Sequence, residues 1–141
     1  MRALVAIALT FGPAACDDET SYLALVELSG LHVHLMAPTD VQSGEKFTIT
    51  VRTPSGGCNH PDYELVVTEG PDIVIVPYDV FVDPGSNGAC TSDLRYNDHV
   101  VTLRYDSAGT KTIRVRAQRG RDLTPTEPGE VIDTLFTIEV N

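Results

Sequence analysis

The densest grouping of metal-capable side chains is His32-Val33-His34-Leu35-Met36. On an extended strand His32, His34 and Met36 share one face, so two imidazoles and a thioether project together, a donor set suited to copper. Alternate strand residues lie about 7 Å apart, which is wide for one ion without a supporting loop. The spacing therefore favours an exposed face, with Leu31, Val33 and Leu35 turned to a core. His60 lies near Cys58, Asp62 and Glu64, and His99 follows Asp98. Neither has ligand spacing, and both read as polar loop residues. Asp83, Asn87, Asp93, Asn97 and Asp98 are oxygen donors of the kind calcium takes, but they match no calcium-loop pattern and read as acidic surface. Arg104, Arg114, Arg116, Arg119 and Arg121 concentrate the few bases in the last third of the chain. Arg114 and Arg116 share an outward face that could hold an anionic sugar or phosphate. Pairing with the acidic excess, Asp122 and Glu127 included, is the reading the charge balance favours. Phosphate-binding glycine loops, zinc-protease helices and the serine-hydrolase elbow have no counterpart here, so no catalytic residue is assigned and no cofactor or metal is expected.

The cysteines carry the next signal. Arg2 precedes a short apolar core, Ala3 to Phe11, then Gly12-Pro13 breaks the segment and Ala14-Ala15 leads to Cys16. That order is a secretory signal peptide over residues 1–15, and the apolar run falls short of the about 20 residues a membrane span needs. Pro13-Ala14-Ala15-Cys16 resembles the lipobox of bacterial lipoproteins, with Pro13 standing where an aliphatic residue is usual. The resemblance implies that Cys16 becomes the lipid-modified N-terminus. Asp17 to Ser21 then serves as a hydrophilic tether, and acyl chains anchor the domain at about 0.8 kcal/mol per buried methylene. Cleavage by ordinary signal peptidase after Ala14, giving a secreted protein, is the alternative. With Cys16 lipidated, Cys58 and Cys90 remain, each in a glycine-containing loop. Outside the cytoplasm they are expected to form a disulfide closing about 31 residues, worth about 3–4 kcal/mol in the loop-entropy picture. A redox or metal pair would call for C-x-x-C spacing, which is missing.

Positioning these residues falls to strands. Lys46 to Arg52 alternates strictly, Phe47, Ile49 and Val51 facing one way. Leu31–Met36 and Thr112–Gln118 alternate likewise, and Tyr63–Thr68, Val100–Tyr105 and Val131–Val140 also read as strands. Ile73–Val76 is a β-branched run that Pro77 interrupts, with Val80–Val82 resuming past a bulge. Tyr22–Leu28 is the one stretch that could be helical. Turn signals recur about every ten residues, which predicts an all-β, antiparallel sandwich of roughly seven to eight strands. Two segments resemble the immunoglobulin-like superfamily. Ser43 to Val51 looks like the start of its strand B, and Asp106 to Val115 is similar to its E–F corner and strand F, with Lys111 where that corner usually carries tyrosine. The resemblance spans residues 22–141 and implies an immunoglobulin-like domain.

Composition bounds the function. The 141 residues carry a formal net charge of -10, and hydrophobic residues make up 42%. The acidity argues against nucleic acid, and the apolar content argues for one packed core. Removing the leader removes Arg2 and no acid, so the exported part is more acidic still. The expected organisation is a signal peptide over 1–15, a lipidated Cys16 and tether over 16–21, and a sandwich domain over 22–141. The expected role is a non-catalytic binding or structural module in the bacterial cell envelope, anchored to a membrane by lipid. It would hold an envelope protein or glycan through loops or a sheet edge. The alternative is a periplasmic copper or other metal handler using His32, His34 and Met36.

Overall fold

The computed structural model describes residues 21–28, 31–120 and 129–141. The signal segment, Cys16 and the tether up to Thr20 lie outside them, as do Arg121, Asp122 and Glu127. The described residues are strands and their connections, with no helix. In chain order the strand segments are β1 (Ser21–Leu23), β2 (Leu25–Leu28), β3 (Leu31–His32), β4 (His34–Met36), β5 (Asp40–Val41), β6 (Lys46–Ser55), β7 (Asn59–Glu69), β8 (Asp72–Phe81), β9 (Arg95–Arg104), β10 (Gly109–Gly120) and β11 (Glu130–Val140). A small sheet runs β4-β6-β9, and a larger one runs β1-β8-β10-β11-β5, with β7 on β8 and the β2–β3 pair on β10.

Alternation builds the core. Phe47, Ile49 and Val51 of β6 meet Val101, Leu103 and Tyr105 on the β9 side, and both pack on Ile75, Ile113, Val115 and Ile138 of the larger sheet. Each of these is nearly inaccessible, and burying a side chain of this size contributes about 1.5–3 kcal/mol. Gly70 has φ 62, and proline holds Pro71 at negative φ, so the two-residue β7–β8 turn is the II′ kind that glycine at its first position favours. At the β9–β10 connection, Lys111 donates to Ser107 at 2.9 Å and its ammonium lies 6.0 Å from the Tyr105 ring centre.

Several expectations need correction. The sandwich is not wholly antiparallel: β10 runs parallel to β8 and to β2, and β11 runs parallel to β5. The cause is topological. β9 crosses to the small sheet between β8 and β10, so the two strands it separates return in the same direction. Among the described residues eleven strand segments form rather than the seven to eight expected: Tyr22–Leu28 divides at Ala24, Asp40–Val41 adds a short strand, and Leu31–Met36 divides at Val33. There the chain leaves the large sheet for the small one, and the Val33 amide bonds back to Val26 at 2.8 Å. Tyr22–Leu28 is extended rather than helical. β8 and β10 pair only at Ile73–Ile75 with Ile113–Val115, and the N-terminal segment fills the gap where they part. There Ala24 donates to Pro77 and its carbonyl accepts from Gln118, while Ala24, Leu25 and Val26 are all buried. Pro77 does not interrupt β8. Its carbonyl faces the β1–β2 side, and a strand residue points its N–H and C=O the same way, so the missing donor falls where β10 hands over to β1.

Candidate functional site

The inward rows of β6 and β9 change character halfway along. Past Val51, β6 presents Thr53 and Ser55, and past Val101, β9 presents His99 and Asn97, all buried. The register sets Val51 opposite His99 and Thr53 opposite Asn97, so apolar core gives way to a polar layer at one level of the sandwich. From the larger sheet, β8 contributes Asp79 and β7 contributes Glu64. The His99 ring lies between them, Nδ1 at 3.2 Å from Glu64 Oε1 and Nε2 at 3.2 Å from Asp79 Oδ1, with Thr53 Oγ1 at 3.3 Å from Nε2. Asn97 Nδ2 donates to Asp79 Oδ1 at 2.7 Å and to Ser55 Oγ at 3.1 Å. Tyr22 sits opposite Asp79 in the β1–β8 register, and burial, with Asp79 beside it, raises its hydroxyl above the ordinary tyrosine range. A general base needs a ring nitrogen within reach of substrate, and both nitrogens of His99 are committed. The cluster ties the two sheets together, as buried polar groups do when each finds a partner.

The disulfide closes the same end. Cys58 and Cys90 are bonded with Cα atoms 5.1 Å apart, and Gly57 donates to the Thr91 carbonyl at 3.2 Å. A Cβ on Gly57 would lie 2.9 Å from the Thr91 carbonyl oxygen, so this close approach of the two loops requires glycine.

In front of the polar layer lies an open sheet edge. Among the described residues β7 pairs only with β8, and it presents Tyr63, Leu65, Val66 and Val67 to solvent, each 41–46% exposed. Consecutive strand residues point to opposite faces, so both faces of β7 expose apolar side chains. Tyr63 stacks on its cross-strand partner Tyr78, ring centres 4.6 Å apart, and Glu69 on the same row reaches Arg114 and Arg116. Glu64, on the other row, turns in to His99 and braces the strand from behind. Among the described residues β9 and β11 are the other long edges, β11 being paired on its outer side only at Glu139 and Val140. Asp98 and Arg104 punctuate the exposed row of β9, and Asp133 and Glu139 that of β11, the charged protection usual on edge strands.

The residues singled out from the sequence are dispersed. His32, His34 and Met36 are all exposed, but His32 pairs with Glu27 in the large sheet while His34 and Met36 pair with Arg52 and Thr50 in the small one. Among the described residues no three or more His, Cys, Asp and Glu side chains are placed to hold a metal ion. Four of the calcium-type donors have separate partners: Asp83 accepts from the Gly85 amide, Asp93 from Arg95, Asp98 from Arg52, and Asn97 is in the polar layer, while Asn87 is exposed. His60 and His99 stand on strands rather than loops, because the alternation of β7 and β9 runs further than its apolar members do. His60 is exposed and His99 is inaccessible. Arg114 and Arg116 do share an outward face, where Arg114 contacts Glu69, Asp72 and Asp133, and Arg116 contacts Glu69 and Asp133. Their hydrogen bonds hold the Glu69 and Asp133 carboxyls below the usual range. Asp79 was missed entirely; its signal was an acid three residues after the β-branched run Ile73–Val76, in phase with Ile73 and Ile75. No protein-family model, curated protein or solved structure matches this chain.

Proposed function

We propose that the chain is a membrane-tethered, extracytoplasmic binding module that holds a partner along the free edge of β7 and performs no covalent chemistry. The observation that carries this is β7 itself, an 11-residue edge strand whose centre, Leu65-Val66-Val67, is apolar, uncharged and exposed on both faces. Long apolar edges are usually shortened, charged or covered, because their unpaired N–H and C=O groups recruit another strand. Here the edge is stiffened instead, by the Tyr63–Tyr78 stack outside and the Glu64–His99 contact inside. The Cys58–Cys90 bond supports an oxidising compartment. The lipobox-like Pro13 to Cys16 supports a lipid anchor at Cys16 on the cell envelope, and the engagement of both His99 nitrogens supports a role other than catalysis. Within this reading the domain is a divergent immunoglobulin-like sandwich, supported by its two packed sheets and the Ser43–Val51 and Asp106–Val115 segments, and set apart by its parallel pairings.

Intact-mass analysis of the mature N-terminus, combined with chemical cross-linking in the native envelope, tests the proposal. A diacylated or triacylated Cys16 and a discrete cross-linked partner are expected. An unmodified Cys16 would remove the tether, and copper binding abolished by His34→Ala would favour the metal-handling role of His32, His34 and Met36.

A further inference from the structure

We infer that the occupant of the β7 edge is an extended segment of a partner protein, apolar on one face and carrying lysine or arginine on the other, which adds a strand to the larger sheet. This deepens the binding-module reading and rests on it. The geometry of the β7–β8 hairpin says which backbone groups are free. Its two-residue turn makes Glu69–Asp72 a hydrogen-bonded pair, and the pairs then alternate, so Leu65 and Val67 bond to β8 while Glu64, Val66 and Thr68 point away. Pro77 agrees: it sits opposite Glu64 and turns its carbonyl to Ala24, as a proline in a non-bonded pair must. Among the described residues no backbone partner meets the outward groups of Val66 and Thr68. They form donor–acceptor sets at strand spacing, which a peptide main chain matches.

Side chains define the rest of the partner. An added strand lays one row beside Tyr63, Leu65 and Val67, which calls for apolar residues, and the other beside Glu64, Val66 and Thr68. Asp62, exposed and accepting from Ser21, adds a negative charge at one end of β7 beside the incoming strand, while Glu64 is engaged inward with His99. The chain as a whole carries -10, so a basic segment is drawn in and a second copy of the same chain is repelled.

The test uses the full chain and two capped ten-residue probe peptides, one alternating valine with lysine, the other valine with glutamate. Titration calorimetry is expected to show the lysine peptide binding at least tenfold more tightly, with the difference shrinking as salt rises. Val66→Pro removes one outward donor without touching the β8 ladder, so it is expected to weaken binding at least tenfold with an unchanged denaturation midpoint. Should Val66→Pro fail to fold, Val66→Lys keeps the donor and sets a like charge beside the incoming lysines, with the same loss expected. Equal binding of the two peptides, no binding up to millimolar concentration, wild-type affinity in a folded variant, or self-association abolished by Val66→Lys would each overturn the inference. Such a failure, with a partner still captured at β7 in the envelope, would retire the basic segment alone; no capture at β7 would retire the binding module.

Discussion

Replacing His99 by leucine keeps nearly the same volume on β9 but deletes the group that lies between Asp79 and Glu64. Glu64 has a partly exposed side chain and can turn to water, whereas Asp79 is 1% exposed and cannot. Its Oδ1 would retain the Asn97 amide at 2.7 Å and lose the ring nitrogen at 3.2 Å. Removing one partner of a buried pair costs about 3–5 kcal/mol, and the surviving Asn97 bond places the expected loss near the lower end, about 3 kcal/mol. At a urea dependence of about 2 kcal/mol per molar, the midpoint falls by about 1.5 M. The cost belongs to the stranded carboxylate rather than to lost packing, and a second substitution separates the two. In His99→Leu/Asp79→Leu the stranded carboxylate is gone, Asn97 keeps its bond to Ser55 Oγ at 3.1 Å, and at least half of the loss is recovered. Urea denaturation of the three proteins at neutral pH, disulfide intact, decides the matter. A single variant within 1 kcal/mol of wild type, or a double variant no more stable than the single, would refute the reasoning.

Two further outcomes follow from the same geometry. Cys58→Ser/Cys90→Ser frees a loop of about 31 residues and is expected to cost about 3–4 kcal/mol in the same denaturation assay; a loss below 1 kcal/mol would mean that the unfolded chain gains little freedom there. Glu69 and Asp133 have carboxyl pKa values lowered chiefly by hydrogen bonds from Arg116, so their stabilisation is fully present above the unfolded carboxylate range and disappears as pH falls through the folded values. Thermal midpoints measured from about pH 6 to about pH 2 should fall less steeply for Arg116→Gln than for wild type, and parallel curves would contradict the assignment.

Much of the framework could be read in advance where alternation was apolar. β6, β10 and β11 are where Phe47–Val51, Ile113–Ala117 and Phe136–Val140 predict them, and Cys58 and Cys90 meet. The polar layer was hidden because its inward residues look like surface. Asn97 and His99 keep the β9 phase exactly as Val101 and Leu103 do, yet a strand judged by apolar members stops at Val100. Asp79 follows Pro77, and the proline masked the strand because its place at a partner handover depends on three other strands. β1 and β2 were ambiguous for a different reason: a segment buried on both sides has no amphipathic period to show. The parallel pairing of β10 with β8 is a property of chain routing, which no local pattern encodes.

The most direct test of the binding-edge account is site-specific photo-cross-linking in the native envelope, with the reactive residue placed at Val66 or at Val100. Val100 lies outward on β9 and is the more exposed, 56% against 46%, so exposure alone would favour adducts there. The account predicts a discrete protein adduct from position 66 and none of comparable yield from position 100. Equal labelling, or adducts from position 100 alone, would contradict it.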